Sequence, residues 1–422
     1  MSVVTATPKE TTSSRILRQL GANIQTYALV VAMILIWLLF FILTGGSYLG
    51  PQNFSNLFRQ MTVNAILSVG MVLVIVTGNI DLSVGRLAGF VSVFAAVLQA
   101  YTWPPLLAAH GEQINSILAG LGITGDAATN VINLVTTSLS VLIALGVGTL
   151  YGVAQGYIIA YLRVTAFIVT LGSMWILNGL ILLETGGRTI PANQPMFSVI
   201  GQGYIQNQIA SWIIAGIVIL VIFVSMILGR RRKAKYGFAL PPISLDVAKS
   251  AFFSLLVAAF VFYDNLYRGI QVPVLILMVI AVVIAYMCDN TKFGRHAYAI
   301  GGNREAARLS GINIQRNVFL IFVLMGFLCG VSGVVLASYV GYGTIAAGSG
   351  YELYAIAGCI LGGTSTLGGV GTIFGAMVGA LIIASLTNGL QILNVPSAWQ
   401  SVITGLVLVF AVYLDVYFKK NR

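Results

Sequence analysis

Residues 212–228 read WIIAGIVILVIFVSMIL, and Gly229-Arg230-Arg231-Arg232-Lys233 follows at once. The first stretch carries no charge and a single hydroxyl, Ser225. Wound as a helix at about 1.5 Å per residue it extends roughly 25 Å, close to the ~30 Å of a hydrocarbon layer. A helix is the form that lipid requires, because it satisfies its own backbone N–H and C=O groups where no water can. The basic run behind it marks an end held among headgroups. This one stretch makes the chain a helical membrane protein, and its pattern recurs on both sides.

The expected spans are 27–43, 60–76, 84–100, 132–160, 166–183, 212–228, 251–263, 272–287, 318–340, 351–361, 372–390 and 399–413. The run 351–361 is too short to cross alone and is expected to be re-entrant, and 60–76 and 84–100 are parted only by a polar kink. The expected fold is therefore all-α, a polytopic transmembrane bundle of about ten to twelve spans. Composition agrees: 58% of the 422 residues are apolar and 8% charged, where a soluble domain is about a quarter charged. Run 27–43 is too long for the apolar part of a signal peptide and lacks an Ala-x-Ala end, so it reads as a retained span behind a tail at 1–26. The transmembrane domain then covers 27–416 and a second tail 417–422.

The net charge of +11 is not the footprint of a nucleic-acid binder, because it comes in short clusters between apolar blocks. Eighteen of the 22 Lys and Arg lie in the two tails, at Arg163, in 229–249 and in 289–316. Only Arg59, Arg86, Arg188 and Arg268 fall elsewhere. The positive-inside rule puts both termini and these loops in the cytoplasm, and the loop 101–130, which has no Lys or Arg, outside. The cluster 230–235 is expected to signal orientation and to touch anionic headgroups.

Chemistry of an enzymatic kind has no foothold. Cys288, Cys329 and Cys359 sit in or beside apolar runs without metal-ligand spacing, and His110 and His296 are isolated. No metal site, catalytic residue or cofactor is expected. An integral-membrane enzyme would need clustered His, paired carboxylates or an activated nucleophile. No Gly-x4-Gly-Lys-Ser/Thr loop is present either, so any nucleotide must be bound in trans.

Two interrupted apolar stretches draw attention. Residues 71–90 read MVLVIVTGNIDLSVGRLAGF and residues 359–379 read CILGGTSTLGGVGTIFGAMVG, each an apolar helix, a Gly-rich polar break and another apolar helix. Paired breaks in two halves point to a transport site near mid-membrane. In the first, Asp81 or Ser83 can cap the helix opening at Val84, or Asn79, Asp81 and Ser83 can line a hydrated path to a hydroxyl-rich solute. The second offers the hydroxyls of Thr364, Ser365 and Thr366 and no charge, which suits a neutral solute. Glu352 and Tyr351 are expected in an exposed outer loop, with docking of an external partner as the other reading. The spacings Gly148-x3-Gly152-x3-Gly156, Gly326-x3-Gly330 and Gly375-x3-Gly379 are helix-packing signals.

The loop 293–316 reads FGRHAYAIGGNREAARLSGINIQR. Asn303 is a good N-cap, Arg304 to Ser310 a short helix and Gly311 a natural stop. Ala306, Ala307, Leu309 and Ile312 are expected to form a small apolar face beside Arg304, Glu305 and Arg308, suited to a groove on another protein. Glu305-Ala306-Ala307-x3-Gly311 resembles the loop by which ABC importer permeases engage their ATPase. The stretch from Ala299 to Ile312, the run Gly78-Asn79-Ile80-Asp81-Leu82-Ser83-Val84-Gly85, and Ile360-Leu361-Gly362-Gly363-Thr364-Ser365 with Gly368-Gly369-Val370-Gly371 together resemble the ribose/xylose/galactose permease family.

The resemblance covers about 53–415 and is nearest to the xylose-type and multiple-monosaccharide members. It implies a permease subunit of the bacterial inner membrane that carries a monosaccharide, such as xylose or a related pentose or hexose. Its implied partners are a second copy as a homodimer, a cytoplasmic ABC ATPase and an extracytoplasmic sugar-binding protein. The coupling residues it implies are Gly302, Asn303, Arg304, Glu305, Ala306, Ala307, Arg308, Ser310 and Gly311. The rival expectation is an ion-coupled secondary sugar transporter with Asp81 as its coupling carboxylate.

Overall fold

The computed structural model describes residues 24–238, 240 and 242–420. Most of the tail expected over 1–26, and residues 421–422 of the other, lie outside the described residues. Among the described residues nine helices are long and apolar enough to cross a membrane. The architecture of the described residues is all-helical apart from two two-residue strand pairs.

Helix α1 (Ile24–Leu43) leads through a short 3-10 turn to α2 (Pro51–Val76), whose Pro51 occupies the first turn, where a missing N–H is harmless. After a turn over 77–83, α3 (Val84–Val97) runs through a single π-turn into α4 (Trp103–Gly120). The expectation of an open loop over 101–130 is corrected here. Pro104 and Pro105 stand in the first turn of α4, where they open a helix rather than break one, and the π-turn lies just before them.

Next come α5 (Asp126–Ala160), α6 (Ala166–Thr185), β1 (Ile190–Pro191), α7 (Pro195–Gln202) and β2 (Tyr204–Ile205). The pair α8 (Gln208–Lys235) and α9 (Ile243–Asn265) leads through β3 (Ile270–Gln271) to α10 (Val272–Asn290). The loop 289–316 holds two helices, α11 (Lys292–Gly302) and α12 (Arg304–Leu309), where one was expected. Thr291 caps the unforeseen α11 by accepting the Gly294 N–H. The chain ends in α13 (Ile314–Val340), β4 (Tyr342–Gly343), α14 (Tyr351–Leu361), α15 (Ile373–Ile392) and α16 (Ser397–Lys420). The tail expected from 417 is thus largely the last turn of a helix.

Helix α13 is the axis of the bundle, covered by α2, α3 and α5. The expected small-residue spacings meet each other. Gly148 and Gly152 lie on Gly326 and Gly330, and a Cβ at Gly152 would sit 2.6 Å from the Phe322 carbonyl oxygen. Gly375 and Gly379 meet Gly362 and Gly358 in the same way. With little apolar driving force between helices in lipid, such close backbone packing supplies cohesion. Helices α8 and α9 stand outside this core with most side chains uncovered.

The strand pairs β1–β4 and β2–β3 clip loops together at one end of the bundle. There Arg59 lies over the rings of Tyr204 and Tyr339, and Arg268 over Tyr204 and Tyr267. The loop 289–316 lies at the opposite end, packed on the last turn of α2.

Two elements do not run the full depth. Gly333 lies against Ala88 and Gly343 against Val93, so the parallel α3 starts near the mid-height of α13. The run of turns 344–350 then descends along α3, bringing Ala347 against Gly89 and Gly348 against Gly85, and α14 begins there. The second interrupted crossing is therefore 341–361, whereas the sequence suggested the break at 362–371. Gly348 has φ +67° and touches the Gly85 backbone, so neither the turn nor the approach tolerates a side chain.

Candidate functional site

Two half-helices, α3 and α14, thus face each other with their N-termini at mid-height and run toward opposite ends of the bundle. The turn before α3 is held by Asp81. Its Oδ1 accepts the Ser83 backbone N–H at 2.8 Å and the Ser83 hydroxyl at 2.6 Å. The Gln155 amide of α5 donates to Ser83 Oγ at 3.1 Å. Capping at Val84 was one of the two readings of this segment, and the geometry adjusts it. Ser83 makes no side-chain bond to the helix N–H groups, and Asp81 instead ties the residue just outside the helix. Asp81 is 3% exposed and Ser83 is fully buried, so this trio faces the interior.

Around α14 the arrangement is more open. Arg86 Nη1 donates to the carbonyls of Ile345 at 3.0 Å and Ala347 at 3.4 Å, and Nη2 donates to Ser349 Oγ at 3.0 Å. Glu352, in the first turn of α14, is buried against Gly85, and its Oε2 has no hydrogen-bond partner. The exposed outer loop expected for Tyr351 and Glu352 is corrected: the chain dips inward here because Gly85, Gly89 and Gly348 leave room for it.

Thr364, Ser365 and Thr366 do not join Asp81. They form the turn between α14 and α15, where the Ser365 N–H donates to Val370 O at 2.9 Å and Ser365 Oγ accepts the Leu367 N–H at 3.3 Å. Thr364 is buried against Gly371, and Thr366 is exposed. This turn and the end of α2 meet, since the Gly369 N–H donates to Val76 O at 2.8 Å. Asn79, half-buried, bonds back to Thr77 Oγ1 at 3.1 Å.

The loop 289–316 sits on that junction. Gly301 lies on the Val76 carbonyl so closely that a Cβ would overlap it, and the Tyr298 hydroxyl donates to Gly371 O at 2.8 Å. Burial, with help from nearby Cys288 and Asp289, pushes the Tyr298 hydroxyl above the ordinary phenol range, so it remains a donor at neutral pH. Asn303 Oδ1 caps α12 by accepting the Ala306 N–H at 2.9 Å. Gly311, at φ +79°, ends the turn, and the Ile312 N–H reaches back to Ala307 O at 3.1 Å.

Only Ala307 of α12 is buried, against its own chain, whereas Ala306 and Leu309 are exposed. The single apolar face expected from Ala306, Ala307, Leu309 and Ile312 is therefore split. Ala307 anchors the helix and Leu309, 77% exposed, stands free. Gly302, Arg304, Glu305, Arg308, Ser310 and Gly311 are exposed as well, with Arg308 gripping Glu305 through two bonds of 2.6 and 3.1 Å. A hollow of about 800 Å3 opens beside them, with Asn79, Arg163, Arg304 and Arg308 in its wall. Sequence reasoning missed Arg86, Ser349 and Gln155. The signal for the first was an arginine one residue past the Gly85 that closes a break.

Residues 53–412 match a family model described as the permease component of branched-chain amino acid transport systems. The xylose transport system permease protein of Haemophilus influenzae is 36% identical over 401 residues, spanning 95% of this chain and 98% of that protein. Its counterpart in Escherichia coli K12 is 36% identical over 94% of this chain and 93% of its own length. The ribose import permease protein of Escherichia coli K12 is 31% identical over 86% of this chain and 85% of its own. No solved structure matches the chain.

Proposed function

This chain belongs to the transport-system permease family whose model it matches from residue 53 to 412, and from that premise we propose its place in the transporter. It is the non-catalytic transmembrane permease subunit of a binding-protein-dependent ABC importer, located in the bacterial inner membrane, and its cargo is a monosaccharide. Its cargo is xylose or a related pentose or hexose, the pentoses xylose and ribose being those that its relatives are named for. The observation that carries the reading is the near-complete overlap with the xylose permeases, almost end to end on both chains.

The finer assignments follow from chemistry. The end of the bundle with loop 289–316 faces the cytoplasm, as do both termini, because 18 of the 22 basic residues lie in the tails and the loops assigned to that side. Loop 289–316 is the coupling loop: an exposed, well-capped helix with a free Leu309 and an ionic rim suits a groove on an ATPase. The opposite end receives the sugar-binding protein. A second copy completes a homodimer in the bilayer.

The decisive experiment is purification of the tagged chain in mild detergent and identification of what comes with it in stoichiometric amount. The expected result is a cytoplasmic ATPase whose association is lost in Glu305→Lys. A chain that purifies alone and still moves sugar on an ion gradient would overturn the reading, and Asp81 would become the coupling site to test.

A further inference from the structure

Four of the basic residues lie outside the basic loops, and three of them are easily placed. Arg59 and Arg268 stack on tyrosines at the strand-bearing end, and Arg188 lies in the loop just before β1. Arg86 differs, because it sits near the mid-height of α13, where a bilayer is hydrocarbon.

A guanidinium offers five N–H donors. Ile345 O, Ala347 O and Ser349 Oγ take three of them. These bonds fix the plane of the group and leave two donors pointing elsewhere. Arg86 is only half-buried and Ser349 is exposed, so the open edge of the group lies at the surface of this chain. An arginine at this depth that faced acyl chains would be driven to snorkel toward the interface, and one tethered to two carbonyls cannot. The Glu352 carboxylate offsets the charge from within, and the open N–H edge is left for water or polar groups to meet. Buried beside Arg86 and drawn to its charge, that carboxylate keeps an Oε2 with no hydrogen-bond partner, a second polar atom at the same crossing with unused capacity. Ser349 also lies on the rim of a hollow of about 310 Å3, which Tyr354, Ser401 and Thr404 share with apolar side chains of α14 to α16. That size lies at the lower end of the range for small-ligand sites, and hydroxyls beside an aromatic ring are the chemistry that a sugar's polar edge and C–H face call for.

We propose that Arg86, Ser349 and Tyr354 form a contact for the sugar at mid-depth, on a wet face of the subunit that lines the translocation path. The guanidinium, preset by the 345–349 carbonyls, forks two N–H donors to neighbouring hydroxyls of the sugar, and Ser349 adds a third polar contact. The inference rests on the reading of the chain as a sugar permease. It moves the point of sugar contact from the covered Asp81 and Ser83 to a side chain one helical turn further on.

The test uses the complete importer in membranes. The native Cys288, Cys329 and Cys359 are all buried, so an introduced thiol reports with little background. Ser349→Cys is compared with Leu255→Cys, which stands exposed in the middle of the peripheral α9. A charged, membrane-impermeant methanethiosulfonate should label Ser349→Cys at least about tenfold faster than Leu255→Cys, as a charged reagent enters water and not hydrocarbon. The sugar that the wild type imports, delivered by its binding protein, should slow that labelling several-fold. Arg86→Lys keeps the charge but not the fork, and should lower the uptake rate about tenfold at unchanged ATPase association, the loss expected for a charge-assisted hydrogen bond. Equal labelling of the two cysteines overturns the wet face. Wild-type uptake in Arg86→Lys, or labelling indifferent to sugar, overturns the sugar contact. A wild type that imports no monosaccharide sinks the permease reading instead, and the labelling comparison still decides whether the face is wet.

Discussion

Asp81 spends one carboxylate oxygen on two donors of a single residue, so an amide can stand in for it. Asp81→Asn keeps an acceptor for the Ser83 N–H and hydroxyl and should fold and transport nearly as the wild type does. Asp81→Ala strands the buried Ser83 N–H and leaves the Ser83 hydroxyl only the more distant Gln155 Oε1 as acceptor. It should lower stability by about 1–3 kcal/mol, read as thermal unfolding of the purified protein in detergent. Loss of uptake in Asp81→Asn at unchanged stability would restore the case for a charge requirement. At this scale the sequence was half legible. A lone carboxylate beside a polar break announces a capped or hydrated turn, but only contacts reveal that Gln155, from a helix some seventy residues on, closes over it. Arg86 was counted for orientation and not read for chemistry, because nothing local signals that its partners are carbonyls near residue 347.

Helices α5 and α13 depend on bare backbone. Gly152→Leu would drive a side chain into the Phe322 carbonyl, and the helices must part to accept it. We expect a stability loss of about 1–3 kcal/mol or more and poor recovery of folded protein, whereas Gly216→Leu, with open space around its Cα, should be neutral by the same assay. Helix α12 makes the opposite case. Glu305→Lys turns its rim from mixed to wholly basic, and Gly311→Arg forces φ +79° on a side chain that meets no clash. Both should insert normally and abolish sugar-stimulated ATP hydrolysis; full hydrolysis by a well-expressed variant would remove α12 from coupling. The helical elements were legible wherever an apolar block ran unbroken. They were misread where turn residues serve helices, as Pro104 and Pro105 do in α4, and where a run of turns, 344–350, carries no charge to betray that it re-enters the bundle.

Across the whole molecule the apolar surface is distributed unevenly. Helices α8 and α9 hold each other through the Arg230–Asp246 ion pair. They meet the rest through β2–β3, the Tyr263 hydroxyl on Leu49 O, Phe260 against Phe54 and Phe58, and Arg232 on Asn290. Their outer faces are apolar and exposed, Leu220 at 62% among them. Leu220→Arg, at the centre of α8, should reduce the amount of protein inserted, since a central arginine costs about 2.5–3.5 kcal/mol at insertion. Transport per inserted copy should be unchanged, measured as uptake normalised to membrane content. Composition and the Lys/Arg count made the membrane class and the basic end readable at once. The depth at which each segment stops was not, because hydropathy measures length and not position. That depth has a mechanical meaning. Helix α14 is an 11-residue rod, about 16 Å long. Its lower end runs into the turn 362–371, which is bonded to Val76 and to Tyr298 of loop 289–316, and its upper end abuts Gly85 beside Arg86. In the role we propose for loop 289–316, a displacement of that loop would reach mid-depth as a thrust along this rod, passed on through the glycine turn at its foot.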